Sequence, residues 1–174
     1  MSYLEILILR HLHENPAHGY ELRKRVEQTA GVTLHNNSLY PALKRFEEIG
    51  AVTKTPQLSD NGRPPRHVYT LTPVGREALH DMIVDFPADQ AQDDTEFLAR
   101  VGQFSLLAPA ERMAVLEARE EAVRQRLAHL MTVHALGRVS PEAWAEVVTE
   151  ELNRRYTAEL DWITQLKEKA DGAG

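Results

Sequence analysis

Between Asn37 and Arg66 the chain gathers the side chains that could do chemistry. Ser38, Tyr40, Lys44 and Arg45 fall in one short run with apolar residues at helical spacing. Lys54 follows, and then Arg63 and Arg66 flank Pro64-Pro65. None is a nucleophile beside a base, and none belongs to a set of metal ligands. Hydroxyl, ammonium and guanidinium groups donate hydrogen bonds to phosphate oxygens, and cations displace the counterions condensed on nucleic acid. The chemistry on offer is anion recognition, with phosphates and base edges as the natural acceptors. Each residue also has a plainer reading: Tyr40 as packing, Lys44 and Lys54 as solvated charge, Arg45 as surface, and Arg63 and Arg66 as a solubilising turn.

Positioning these residues needs a helix and then a ribbon. Pro41 lacks an amide hydrogen and suits a first helical turn, which predicts an N-cap at Asn37 or Ser38. Leu39, Leu43, Phe46 and Ile49 then share a face, and Gly50 ends the helix. Val52–Gln57 and Arg66–Leu71 alternate as strands, with Ser59-Asp60-Asn61-Gly62 as turn chemistry between them. A helix followed by a two-stranded ribbon with a cationic tip is a winged helix, which lays a helix in the major groove and a loop on the adjacent backbone.

The flanking sequence completes that unit. Tyr3–Glu14 reads as a mostly buried helix, stopped by Asn15-Pro16. A second helix runs from His18-Gly19 to about Ala30, with Leu22 and Val26 inward and Gly31 after its end. Thr72-Pro73 is a cap followed by proline, opening a helix to about Phe86. Pro87–Asp94 is expected to link two domains. Beyond it come a short helix over Thr95–Leu107, a long one from Pro109 to about Leu136, and another opened by Ser140-Pro141-Glu142 and running to about Lys169. Helices of that length span about 42 Å, and an isolated antiparallel pair would leave apolar surface for a second chain to cover.

Composition bounds the rest. The chain has 174 residues, is 43% hydrophobic and contains no cysteine, so disulfides, cysteine-based zinc sites and a thiol nucleophile are absent. The net charge of −6 is unevenly spread: residues 1–86 hold ten basic and ten acidic residues, and residues 87–174 hold ten and sixteen. A local basic patch, rather than the total, sets phosphate affinity. His11/His13 and His129/His134 lack metal-site spacing, and there is no Gly-rich phosphate loop or GxSxG, so neither a cofactor nor an enzyme activity is expected. The first residues carry no signal-peptide or membrane-span pattern, and a cytoplasmic protein is expected.

Four motifs resemble the PadR family of bacterial transcriptional regulators. They are His18-Gly19-Tyr20-Glu21-Leu22, Ser38-Leu39-Tyr40-Pro41-Ala42-Leu43-Lys44-Arg45, Gly62-Arg63-Pro64-Pro65-Arg66 and Tyr69-Thr70-Leu71-Thr72-Pro73-Val74-Gly75. Their order and spacing are similar to that family's winged helix over Leu4–Phe86. Asn37 stands where the family often has glycine, and Phe46 where it usually has leucine. The resemblance implies a mainly α fold with a small β-wing, with a winged helix-turn-helix over 1–86, a linker over 87–94 and a helical dimerisation region over 95–174. It implies a homodimeric regulator, a repressor on a pseudo-palindromic DNA operator, contacting DNA through Tyr20, Asn37, Ser38, Tyr40, Pro41, Lys44, Arg45, Lys54, Arg63 and Arg66. Family members that bind planar aromatic effectors make a pocket at Phe97, Phe104, Trp144 and Trp162 conceivable, against the plainer reading of dimer core. A winged-helix adaptor that binds protein and not DNA is the alternative, mildly favoured by the zero net charge of residues 1–86.

Overall fold

The computed structural model describes residues 3–31, 33–57, 66–135 and 143–172, which form two compact units, Met1–Ile83 and Val84–Gly174. In the first unit, α1 (Tyr3–Glu14) is buried along Ile6, Leu7, Ile8, Leu9 and Leu12, so nearly its whole circumference faces protein. A two-residue strand β1 (Ala17–His18) leads directly into α2 (Gly19–Ala30). Leu22 and Val26 of α2 are fully buried, and Gly31 ends the helix at φ 66°, donating its N–H to Glu27 O at 3.0 Å. Glycine adopts that left-handed turn without a Cβ clash.

The next helix, α3 (Asn36–Glu48), starts earlier than its proline suggests. His35, not Asn37 or Ser38, is the N-cap, and its carbonyl accepts from Ser38 N at 2.9 Å and Leu39 N at 3.2 Å. Pro41 is therefore the sixth helical residue. The bond it cannot donate would have gone to the carbonyl of Asn37, an exposed residue where water can serve instead. Asn37 is helical, so the position where the family often has glycine needs no left-handed backbone here. Leu39, Leu43 and Phe46 are buried as the periodicity predicts, with Ala42 beside them, but Ile49 lies past the helix end and is 61% exposed; Gly50 turns the chain at φ 73°.

Strands β2 (Val52–Gln57) and β3 (Arg66–Leu71) pair antiparallel from Val52↔Leu71 to Gln57↔Arg66. The sheet has three strands, in the order β1-β3-β2, because Ala17 and His18 pair with Tyr69 and Val68. The third strand went unseen in sequence, since two residues carry no alternation to read. Residues 58–65, with the expected turn, the proline pair and Arg63, lie outside the described residues.

Helix α4 (Pro73–Val84) is capped as expected: Thr72 Oγ1 accepts from Gly75 N at 3.0 Å. The same hydroxyl lies 2.7 Å from Gly50 O, and Thr72 N donates to Ala51 O at 3.0 Å. One residue thus ties the start of α4 to the end of α3.

The second unit holds α5 (Asp94–Val101), a 3-10 turn over Phe104–Leu106, α6 (Pro109–Ala135) and α7 (Ala143–Gly172). The single helix expected over Thr95–Leu107 is broken at Gly102–Gln103. Residues 87–94 carry structure of their own: a 3-10 turn at Gln90–Gln92, a buried Ala91, and Asp93 as the N-cap of α5. Asp93 Oδ1 accepts from Thr95 N at 2.7 Å and Glu96 N at 3.1 Å, and these backbone bonds, Glu96 first, hold its carboxyl below the usual range. The start signal Ser140-Pro141-Glu142 lies outside the described residues.

Helices α6 and α7 run antiparallel, joined where Arg119 meets Glu159 and where Lys167 Nζ lies 2.5 Å from Glu120 Oε2. Val115, Leu116, Val123 and Ile163 are buried, whereas Met131, Trp144, Val147 and Val148 near the other end of the pair are exposed. Two arginines lie inside this unit. Arg119 donates to Glu159 at 2.7 Å, Ala91 O at 2.8 Å and Asp94 at 2.6 Å, over the Phe97 ring. Arg100 donates to Glu96 Oε2 at 2.7 Å and Gln90 Oε1 at 2.6 Å, over the Phe86 ring. Buried guanidinium is tolerated because carboxylate, carbonyl and ring faces replace its water.

Candidate nucleic-acid interface

Helix α3 divides the expected contact residues between two flanks. Residues four apart share a flank, so Tyr40 and Lys44 lie together, and Asn37, Pro41 and Arg45 lie on another. Tyr40 lines a groove of about 570 Å³ with His18, Tyr20, Arg66, His67 and Tyr69. The structure thus assembles Tyr20 from α2, Tyr40 from α3 and Arg66 from β3 around one concavity, although 46 residues separate the outer two. Asn37, Ser38, Pro41 and Arg45 instead border a separate depression of about 260 Å³ against α1.

Tyr20 is 67% exposed, with the Arg23 guanidinium 5.5 Å above its ring. The hydroxyl is open to solvent while the ring is held by a cation, so Tyr20 is an exposed residue of α2 and not part of its buried core. Tyr40 packs on Gly19: a Cβ there would stand 3.1 Å from the tyrosine Cε1 and hydroxyl. Lys44 is exposed and forms an ion pair with Glu48 at 3.7 Å, a weak contact in water that phosphate can displace. Lys54 is exposed on β2, in register with Tyr69. Arg66 is exposed at the start of β3. Arg45 differs from the other cations, because its guanidinium is hydrogen-bonded to the buried Glu5 carboxylate of α1.

Three groove residues were missed as contributors. His18 Nδ1 lies 3.1 Å from His67 O, and a carbonyl can only accept, so Nδ1 carries the hydrogen. That bond fixes the imidazole between α2 and β3. Tyr69 is buried, and burial first, with Tyr40 and Glu47 beside it, pushes its hydroxyl above the usual tyrosine range. It therefore stays a neutral donor. The motifs containing His18 and Tyr69 were visible in sequence; their convergence was not, because it depends on the β1–β3 pairing.

The four aromatic residues considered for an effector do not converge. Phe97 is buried, stacked 6.3 Å from Phe86 and edge-on to Trp162 at 5.8 Å. Phe104 is half-buried elsewhere, and Trp144 is 80% exposed. A cleft of about 470 Å³ between α6 and α7 is lined by Gln125, Arg126, His129, Leu130 and Tyr156, among others, and by none of the four. Among the described residues, no helix is long and apolar enough to cross a membrane.

Comparison with known proteins bears on the first unit above all. Residues 8–81 match the family described as Transcriptional regulator PadR-like. An uncharacterized 37.1 kDa protein in transposon TN4556 of Streptomyces fradiae is 39% identical over 75 residues, 43% of this chain. The match takes in only 20% of that protein's length. Among solved structures, a putative transcriptional regulator from Thermoplasma acidophilum is 35% identical, covering 45% of this chain and 74% of that one, with a TM-score of 0.42. A PadR family transcription regulator from Clostridium difficile R20291 is 29% identical, covering 45% and 81%, with a TM-score of 0.41. Bacillus subtilis PadR, solved in complex with operator DNA, is 20% identical over 98% of each chain, with a TM-score of 0.46.

Proposed function

Because the chain belongs, through residues 8–81, to the PadR-like family of transcriptional regulators, we propose that it acts in the cytoplasm as a homodimeric DNA-binding repressor. The observation that carries this reading is the groove that gathers Tyr20, Tyr40 and Arg66, with the exposed Lys44 on the Tyr40 flank of α3. Tyr20, Tyr40, Lys44 and Arg66 are exposed, and an open groove of hydroxyls and cations suits successive phosphates better than a small molecule. Ser38 and the first turn of α3 then approach base edges, and Lys54 and Arg63 extend the contact along the backbone.

Dimerisation is supported by Met131, Trp144, Val147 and Val148, which leave a run of apolar surface on α6 and α7. A two-fold dimer reads a pseudo-palindromic operator with half-sites one helical turn apart or a multiple of it. Repression follows where such a site overlaps a promoter. The effector reading of Phe97, Phe104, Trp144 and Trp162 has no common pocket behind it, and Phe97 and Trp162 serve the core of their unit.

Fluorescence anisotropy on a labelled duplex from the region upstream of the reading frame tests the proposal, at low and high salt with scrambled competitor. Salt-sensitive binding that survives competitor is expected. Absence of binding at low salt would move the weight to the protein-binding adaptor, which the zero net charge of residues 1–86 favours.

A further inference from the structure

Arg45 is the basic residue of α3 whose guanidinium reaches back to α1, while its side chain is 58% exposed. Its guanidinium is hydrogen-bonded to Glu5 Oε1 on α1, forty residues earlier. Among the described residues of the first unit, Glu5 is the one buried charged side chain. A carboxylate taken from water is costly to fold unless a cation or donors replace the water, and Arg45 supplies both. The pair borders the depression walled by Leu4, Ile8, Leu34 and Pro41. Side chains of α3 meet α1 through Arg45 and Glu5 and across the depression that Leu4, Ile8, Pro41 and Ala42 share.

We propose that Arg45 is a positioning residue for DNA recognition and not a phosphate ligand: its bond to Glu5 sets the rotation of α3 about its own axis. That rotation decides where Tyr40 and Lys44 are delivered, since both lie on the flank of α3 away from α1. The proposal rests on the DNA-binding reading above and assigns Arg45 a role within it. An arginine held by one carboxylate still has other donors, so a direct phosphate contact is the competing outcome.

A salt titration separates the two. The full chain and its R45Q, E5Q and double variants are titrated onto the same upstream duplex at several salt concentrations. Loss of a positioning bond weakens binding roughly tenfold in either single variant, about 1.4 kcal/mol. The double variant loses clearly less than the sum of the two singles, because both break the bond they share. The slope of log affinity against log salt stays at the wild-type value, whereas K44A lowers it by about one. R45K, which keeps a cation near Glu5, recovers part of the loss. It also serves if R45Q is unfolded at the assay temperature. A slope lowered by about one in R45Q, with E5Q binding like wild type, would overturn the proposal. So would additive losses, or no loss in either single variant. Failure of the wild-type chain to bind any duplex removes the DNA-binding reading itself and this proposal with it.

Discussion

The Tyr40 ring rests directly on Gly19: a methyl group on the glycine would sit 3.1 Å from both Cε1 and the hydroxyl oxygen of the tyrosine. The first residue of α2 and the fifth of α3 are thereby held against one another at the groove that also contains Tyr20 and Arg66. Tyr40 is 45% exposed, so it can yield by swinging outward without disturbing the core. Gly19→Ala is therefore expected to leave thermal stability nearly unchanged, within about 1 kcal/mol, while weakening DNA binding severalfold. Paired calorimetry and anisotropy would show the split; a large loss of stability with unchanged affinity would contradict it.

Gly75 gives the opposite expectation. A Cβ there would stand 2.1 Å from the Ala51 carbonyl oxygen and 2.5 Å from Leu71 Cδ1. The first of these is backbone, pinned by its bond from Thr72 N, and cannot move aside. Gly75→Ala should cost about 3 kcal/mol or more by forcing α4 away from the α3–β2 turn. Urea denaturation measures it, and a cost under about 1 kcal/mol would mean that the helix can shift freely.

Much of this was legible before any coordinates. The apolar periodicity of α1 and α3 is dense enough to fix each helix, and Thr72-Pro73 and Pro109 mark the starts of α4 and α6. What the sequence concealed depends on contacts between distant residues. Two residues at Ala17–His18 become a strand only because β3 lies beside them. Pro41 suggested a late helix start, but the exposed Asn37 carbonyl tolerates its missing donor. Arg45 read as a DNA contact or as surface, Glu5 carried no role, and only the approach of α1 to α3 makes them partners. Arg100 and Arg119 had no role in the sequence for the same reason, and Phe97, weighed as an effector contact against dimer core, is enclosed by Phe86, Trp162 and the Arg119 guanidinium.

His11 makes the stability of the first unit depend on pH. Its Nε2 lies 2.9 Å from Thr29 Oγ1, whose own hydrogen goes to Arg25 O at 3.0 Å, so the imidazole donates from Nε2. Burial lowers its pKa below the usual 6.5, and Arg25 and Arg10 add to this, while Glu14, 3.6 Å from Nδ1, works against it. The folded state thus favours neutral His11, and between the two pKa values the unfolded chain binds more protons. This contribution is fully present above about pH 6.5 and is lost as pH falls through the folded value. Melting temperatures from pH 7.5 to 5.0 should decline, and His11→Gln should flatten that decline. Equal slopes for variant and wild type would assign it to other groups.

The exposed end of the α6–α7 pair gives the last expectation. Val148 is 57% exposed, on the side of α7 that also carries Trp144 and Val147. In a monomer a charge at such a position is hydrated and alters folding by no more than about 0.5 kcal/mol. In a dimer it would be buried without a partner, at several times that cost. Val148→Asp should therefore leave the melting of the monomer intact while raising the dimer dissociation constant by two orders of magnitude or more, about 3 kcal/mol. Operator affinity should fall with it, because a two-fold site needs both halves engaged at once. Sedimentation velocity across a concentration series reads the first effect and anisotropy the second. A dimer as tight as wild type would place the interface elsewhere, while a monomeric wild-type chain would leave this apolar surface uncovered by a second copy.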